Sequence, residues 1–133
     1  DARSERGLTP LHVLASSKSA TGRERAEMAN ALLHHGAKRE AQDDRGCTPL
    51  LRASRHGNAA VVMALIQAGC SMRQRGAKGW TALHLASFYG HGEAARALLY
   101  ADADSGWLSS APDQRGKLPV DLCRSPSLRS VLV

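Results

Sequence analysis

The sequence predicts an all-α repeat solenoid, in which short helix-turn-helix units stack side by side and project β-turn or hairpin fingers. The first observation is a recurring tetrapeptide motif, because residues 9–12, 48–51 and 81–84 have the sequences TPLH, TPLL and TALH. The second is a glycine two residues before each copy of the motif, at Gly7, Gly46 and Gly79. An internal period of about 33 residues indicates that one supersecondary unit is copied along the chain.

Each copy of the tetrapeptide motif predicts a short first helix. Threonine is a good N-cap, and proline suits the first helical position because an N–H there has no helical partner in any case. The expected first helices cover residues 10–16, 49–56, 82–89 and 119–124. Gly57 and Gly90 are expected to end two of them in the left-handed conformation. Second helices are expected over residues 60–68 and 93–101, where apolar residues recur at helical spacing.

Copy one is longer than copy two by about six residues, which lie between its two helices. The insert, residues 17–25, is rich in serine, glycine and charged residues, which favours a mobile, solvated loop. Its serine and threonine hydroxyls beside Lys18 and Arg23 also suit phosphorylation.

The end of copy three also departs from the regular pattern. Asp102 replaces the glycine that follows the second helix in copies one and two. Because aspartate tolerates the left-handed conformation less well than glycine, we expect a reshaped helix end and a longer finger. Trp107 in that finger is expected to pack onto Leu118 or the fourth copy.

The recurring tetrapeptides and the glycines around them resemble the pattern of the ankyrin-repeat family. Its unit has a turn glycine, Thr-Pro-Leu-His, a glycine between two helices, and a final Leu-Leu-x-x-Gly-Ala. The resemblance implies a single domain over residues 1–133, an ankyrin-repeat solenoid with three full copies and a C-terminal partial copy. The approximate copies are residues 4–42, 43–75, 76–112 and 113–133. The resemblance also implies that His12 and His84 tie neighbouring turns together.

Composition limits the possible classes of protein. The chain has a net charge of +6 and 43% hydrophobic residues, but no apolar run long enough to span a membrane. Its cysteines, Cys47, Cys70 and Cys123, form no Cys-x-x-Cys pair, which argues against a disulfide framework and a zinc site. We therefore expect an intracellular protein, cytoplasmic or nuclear. Copy one has the apolar pattern of an internal copy, so further repeats or domains are expected before Asp1.

No sequence motif indicates catalysis. The phosphate-binding loop, the nucleophile elbow and the paired-histidine zinc helix are all missing from the sequence. The expectation is a protein that is not an enzyme, with no catalytic residues, no metal site and no cofactor.

The family resemblance implies a binding surface on the concave side, formed by the fingers and the first helices, where ankyrin repeats typically bind protein partners. Carried over position by position, the expected partner-binding residues are Arg45, Cys47, Arg55, His56, Lys78, Trp80, Phe88, Tyr89, Arg115 and Lys117. These positions can vary without harming the core, so the residues that occupy them carry information about the ligand.

Two features of that surface predict its ligand. A base precedes every turn glycine, at Arg6, Arg45, Lys78 and Arg115, and these bases are expected to form a row with spacings of about 10 Å. Exposed aromatic residues beside arginine resemble interface hot spots. Together they favour an extended acidic peptide. The competing interpretation is that bases are common beside such turns and that Trp80 merely packs on the neighbouring finger.

Two other functions stay open as alternatives. The positive charge suits electrostatic binding to nucleic acid or an anionic membrane, but acidic residues are interleaved with the bases and no nucleic-acid motif is present, so nucleic acid is the less favoured partner. The chain could also be the regulatory or targeting domain of a larger enzyme.

Overall fold

A computed structural model describes residues 9–18 and 21–132. Within those residues the structure contains helices and turns but no strand. The helices are α1 (Pro10–Ser16), α2 (Gly22–His34), α3 (Pro49–His56), α4 (Ala59–Gln67), α5 (Ala82–Phe88), α6 (Gly92–Ala101), α7 (Trp107–Ser110), α8 (Pro119–Leu122) and α9 (Pro126–Leu132). The all-α solenoid predicted from the sequence is therefore confirmed.

The helices form two rows. Helices α1, α3, α5 and α8 pack against one another in sequence, while α2, α4 and α6 form the second row behind them. Leu11, Leu50 and Leu83 occupy equivalent places in the first row and are almost completely buried. Burial of each such side chain contributes about 1.5–3 kcal/mol. Ala53 and Ala86 are also fully buried, so the backbones of neighbouring first helices can approach closely.

Threonine caps begin the first helices as predicted. The hydroxyls of Thr9, Thr48 and Thr81 accept hydrogen bonds from the N–H three residues later, at 3.4, 3.3 and 3.4 Å. The predicted ranges 10–16 and 49–56 are confirmed, and α5 ends one residue earlier than predicted.

The prediction for residues 119–124 is wrong, because α8 stops at Leu122. Leu118 has no side-chain oxygen with which to cap it, and the Asp121 carboxylate instead accepts a hydrogen bond from the Leu118 N–H at 2.9 Å. Pro126 follows closely and disfavours helical backbone at the residue before it.

The insert of copy one is not wholly a loop. Helix α2 begins at Gly22, so the last part of the segment 17–25 is helical. Thr21 caps this helix by accepting a hydrogen bond from the Glu24 N–H at 3.1 Å. A threonine followed three residues later by glutamate is a capping signature, which the amino-acid composition of the segment does not reveal. Residues 19 and 20 lie outside the described part of the chain, and phosphorylation of the segment stays a prediction.

The end of α6 is reshaped around Asp102, as predicted, but the extra residues form the short helix α7 in place of the predicted longer finger. The helix continues to Ala101, and the Asp102 carboxylate accepts hydrogen bonds from Ser105 Oγ at 2.6 Å and the Leu108 N–H at 2.8 Å. Gly106, with φ of 65°, then begins α7. Trp107 is half-buried and packs on the core, with the guanidinium groups of Arg73 and Arg75 each 5.2 Å from its ring centre. Hence Trp107 belongs to the stack.

Side chains also join each copy to a backbone carbonyl of its neighbour. His12 Nε2 lies 2.7 Å from the Cys47 carbonyl oxygen, and His84 Nε2 lies 2.9 Å from that of Lys117. The prediction that these histidines tie neighbouring turns is confirmed. In the other direction, His91 Nε2 lies 2.9 Å from the Arg55 carbonyl oxygen at the end of α3.

The left-handed glycines between the helices are confirmed, and two of them provide a matched test of this packing. Gly57 and Gly90 have almost the same φ, 73° and 74°. A Cβ atom at Gly57 would stand 2.4 Å from His91 Nδ1, whereas one at Gly90 would meet nothing within 4 Å.

We therefore expect Gly90→Ala to lower the free energy of unfolding by about 1 kcal/mol, from backbone strain alone. Gly57→Ala should cost about 1–3 kcal/mol more, because its methyl group also displaces the His91 ring. Urea denaturation of the two variants measures the difference. Equal losses would show that His91 does not hold the end of α3.

His84 gives a second prediction, on the pH dependence of stability. Burial lowers the pKa of His84, although its hydrogen bond to the Lys117 carbonyl acts in the opposite direction. The unfolded chain therefore binds a proton more readily, so the stability contributed by neutral His84 is complete above about pH 6.5 and declines as the pH falls.

Copy two carries Leu51 at the equivalent position, so His84→Leu introduces a residue that the repeat already accepts there. This variant should be less stable at pH 7.5 but should lose less free energy of unfolding between pH 7.5 and 5.5 than the unchanged chain. An identical decline in both proteins would contradict the assignment.

Candidate functional site

The three fingers in the described part of the chain, which are the turn segments before α3, α5 and α8, share two backbone hydrogen bonds. In the finger of copy two, the Asp43 N–H donates to the Cys47 carbonyl and the Gly46 N–H donates to the Asp43 carbonyl, both at 3.0 Å. Copies three and four repeat both bonds. The turn glycines Gly46, Gly79 and Gly116 have φ between 71° and 76°. Each finger is therefore a β-turn that presents the residues on either side of its glycine.

A groove of about 250 Å³ opens between the fingers of copies two and three, and we call it the copy 2–3 groove. Its lining includes three bases and no carboxylate. The residues that matter for its chemistry are Arg45, Cys47, Arg55, Lys78, Trp80 and Tyr89.

A second groove, of about 380 Å³, opens between copies three and four, and we call it the copy 3–4 groove. Lys78 and Trp80 line both grooves, so the two are adjacent along the stack. Phe88, Arg115 and Lys117 line only the second. The two grooves thus contain every predicted partner-binding residue except His56.

Trp80 corrects one expectation, because it is not an exposed aromatic. It is 8% exposed, and its indole N–H donates to Asp113 Oδ2 at 2.9 Å. The interpretation that Trp80 packs on the neighbouring finger is therefore right, and one edge of the ring lines the grooves. Tyr89 is 44% exposed and is the aromatic residue of this surface most open to a ligand.

The rings of Trp80, Phe88 and Tyr89 form a continuous group, and an arginine lies over each of the last two. The ring centres of Trp80 and Phe88 are 5.0 Å apart, and those of Phe88 and Tyr89 are 5.1 Å apart. The Arg55 guanidinium lies 5.6 Å from the Tyr89 ring centre, and that of Arg124 lies 5.2 Å from the Phe88 ring centre. Such cation–π contacts hold long cationic side chains over the rings.

Arg124 is a member of this surface that the sequence did not predict. The family rule places first-helix surface residues just before the glycine between the two helices, and copy four has no such glycine. The only usable signal was that a base directly follows Cys123. His56 shows the opposite error, since it lies in neither groove. Burial lowers its pKa, and the charges of Arg52 and Arg55 add to that effect.

Asp113 anchors the last finger. Its Oδ1 accepts hydrogen bonds from the N–H groups of Arg115 and Lys117, at 2.8 and 2.9 Å. Desolvation acts to raise the pKa of this carboxyl, but these bonds and the one from Trp80 outweigh it and lower the pKa. Asp113 therefore stays ionised, and both of its carboxylate oxygens already accept hydrogen bonds within the protein.

The predicted row of bases is only partly described. Arg6 lies outside the described residues. Arg45 and Lys78 line one groove and Lys78 and Arg115 the next, in the order that the sequence predicts. Whether all four lie about 10 Å apart stays a prediction.

Cys47 contributes a neutral thiol. Burial raises its pKa and the charge of Asp43 raises it further, although Arg55 acts against them. Burial likewise raises the pKa of Cys70 to about 11.

The three cysteines are free, and among the described residues no group of three or more His, Cys, Asp or Glu side chains is placed to hold a metal ion. In that part of the chain no helix has the length and apolar character that crossing a membrane requires.

The stacked helix pairs, the capped first helices and the glycine turns define a repeat protein of the ankyrin class. The chain belongs to the ankyrin-repeat family, because the family model described as ankyrin repeats (3 copies) matches residues 18–106. Comparison with curated proteins found no match. Ankyrin repeats are generally protein–protein interaction modules, and the family is generally non-catalytic.

The anchoring role of Asp113 is testable. Asp113→Ala removes the acceptor of three hydrogen bonds at once and should loosen the last finger, so amide hydrogen exchange should accelerate in residues 113–122. Asp44→Ala is the matched control, because Asp44 is exposed and the carboxylate that accepts the N–H groups of its finger is that of Asp43. Unchanged exchange in the Asp113 variant would show that the backbone bonds alone hold the turn.

Proposed function

We propose that this chain binds a protein or an extended acidic peptide along the copy 2–3 and copy 3–4 grooves, as an interaction module without catalytic activity. The observation that carries the proposal is that two adjacent grooves share Lys78 and Trp80 and combine bases with aromatic rings. Bases attract an acidic ligand and speed its association, whereas contacts with Tyr89 and Phe88 supply most of the affinity.

An extended peptide fits the spacing of the fingers. A strand-like chain advances about 3.3 Å per residue, so side chains about three positions apart meet successive repeats at a spacing of about 10 Å. Carboxylates at such positions would meet Arg45, Lys78 and Arg115 in turn. Nucleic acid and an anionic membrane are the alternative ligands, and electrostatic binding of either through its phosphate groups would use the same bases with little dependence on Tyr89.

The proposal is tested by selecting ligands from a display library of random 16-residue peptides. The recovered sequences should be rich in Asp and Glu. Tyr89→Ala should weaken their binding about tenfold or more, mainly through faster dissociation. Tyr100→Ala is the matched control, because Tyr100 is 87% exposed on α6 and lies in neither groove.

Charge variants test the electrostatic part. Arg45→Gln with Lys78→Asn should slow association and flatten its dependence on salt, whereas Arg96→Gln, on α6 and outside both grooves, should not. Binding to random-sequence DNA or anionic vesicles with no selected peptide would favour the alternatives. Selected peptides whose affinity ignores Tyr89, Arg45 and Lys78 would place the binding surface elsewhere.

The chain can serve this role as one part of a larger protein. We propose that its location is inside the cell, where its three free cysteines stay reduced. The regulatory or targeting domain of an enzyme is compatible with the same grooves.

A further inference from the structure

The copy 2–3 groove is lined by three bases and by no carboxylate. Its three bases, Arg45, Arg55 and Lys78, form no salt bridge there. Arg52 differs, because its guanidinium lies 3.4 Å from the buried Asp43 carboxylate. The Cys47 thiol is kept neutral by burial, which raises its pKa, so it adds no negative charge. The groove therefore presents three cationic groups and no anion.

Two of these bases are held in place before any ligand arrives. Arg55 lies over the Tyr89 ring, at 5.6 Å from the centre. Lys78 is the one described residue other than glycine with a positive φ, at 65°. Its carbonyl accepts a hydrogen bond from the Gln114 N–H at 3.1 Å, and its ammonium group lies 4.9 Å from the Trp80 ring centre. The left-handed backbone is strained for a residue with a side chain.

That strain is specific to this finger. Arg45 and Arg115 occupy the equivalent position in copies two and four, and neither has a positive φ. A strained residue that is held by its neighbours at a groove is a feature of binding sites. Here the strain positions a cation at the boundary of the two grooves.

We propose that the copy 2–3 groove binds a phosphorylated side chain of the peptide ligand. A phosphoryl group carries a charge of about −1.5 to −2 and three acceptor oxygens, which match two guanidinium groups and one ammonium group. A single carboxylate would neutralise only one of the three cations. The proposal rests on the proposed function, since it assigns one part of the peptide to one groove.

A phosphorylated peptide fits better than a lipid headgroup or a nucleic acid. The groove of about 250 Å³ adjoins the copy 3–4 groove through Lys78 and Trp80, so a chain that leaves the first groove has a second one to follow. Leu85 and the half-exposed Tyr89 give the first groove an apolar wall, against which the carbon atoms of a phosphorylated side chain can pack. The phosphates of a nucleic acid duplex and the headgroups of a bilayer offer no side chain that could pack against that wall.

The test uses pools of synthetic peptides with random flanking residues and one fixed central residue. Three pools carry phosphoserine, phosphothreonine or phosphotyrosine, and the control pools carry Ser, Thr, Tyr or Glu at that place. The chain should retain at least one phosphorylated pool about tenfold better than the Glu pool. The three phosphorylated pools distinguish an aliphatic from an aromatic source of the phosphoryl group.

Two variants locate the preference. Arg55→Gln removes a guanidinium, and Lys78→Asn removes the ammonium while keeping a residue that tolerates the left-handed backbone. Each should reduce the preference for the phosphorylated pool to about that for the Glu pool, whereas Arg96→Gln should leave it unchanged. Circular dichroism and the midpoint of thermal unfolding confirm that each variant is folded.

The outcomes separate this proposal from the proposed function. Equal retention of the phosphorylated and Glu pools, with both above the Ser pool, would overturn the phosphate proposal and leave acidic-peptide binding standing. No retention of any pool would contradict both. A phosphate preference that survives Arg55→Gln and Lys78→Asn would place the site outside this groove. Binding to vesicles that contain phosphoinositide, with no binding to phosphorylated pools, would assign the groove to a lipid instead.

Discussion

The packing of each first helix on the next is the interaction on which the rest of this structure depends. Helices α1, α3 and α5 have seven or eight residues, which is too short for stability in isolation. Stacking buries their leucines and alanines, and only then do the capped ends and turns acquire fixed positions. Because the His12 and His84 rings fix the next finger through its carbonyl, the core also sets the distance between fingers. The grooves are therefore a consequence of the stack.

One junction in the stack differs from the others, and it bears directly on the binding surface. Copy two has Leu51 where copies one and three have histidine, so no imidazole ties the finger of copy three to copy two. Gly76 lies there instead, so close that an added Cβ would be 3.4 Å from Leu51 Cδ1. That finger is held from its other side, where the Gln114 N–H bonds to Lys78 and Arg75 Nη1 bonds to the Pro112 carbonyl at 2.7 Å. The copy 2–3 groove thus lies at the junction where the finger has no histidine tie, although His91 joins the helices of the same two copies through the Arg55 carbonyl.

The sequence predicted what depends on local chemistry and repeats in every copy. Threonine caps and turn glycines have the same role wherever they occur, so α1 and α3 could be assigned to the residue. The misses involve partners that are distant in sequence or features that occur once. Trp80 was expected to be exposed because nothing local shows that Asp113, 33 positions later, accepts its indole N–H. Arg124 was missed because copy four lacks the glycine that marks the position.

The repeat pattern does not fix which residues occupy the groove positions. The effect of those residues on folding can therefore be considered apart from their effect on binding. Three unpaired bases in one groove repel one another, and a left-handed Lys78 adds strain, so both features lower the stability of the free domain. A glycine or asparagine at residue 78 would fit that backbone with less strain. An anion bound between Arg45, Arg55 and Lys78 would relieve the repulsion, and any ligand that binds only the folded chain stabilises it in proportion to its binding free energy. The charge of this groove therefore opposes folding in the free domain, and in the proposed complex with an anion it would favour folding, as expected for residues that serve a ligand rather than the core.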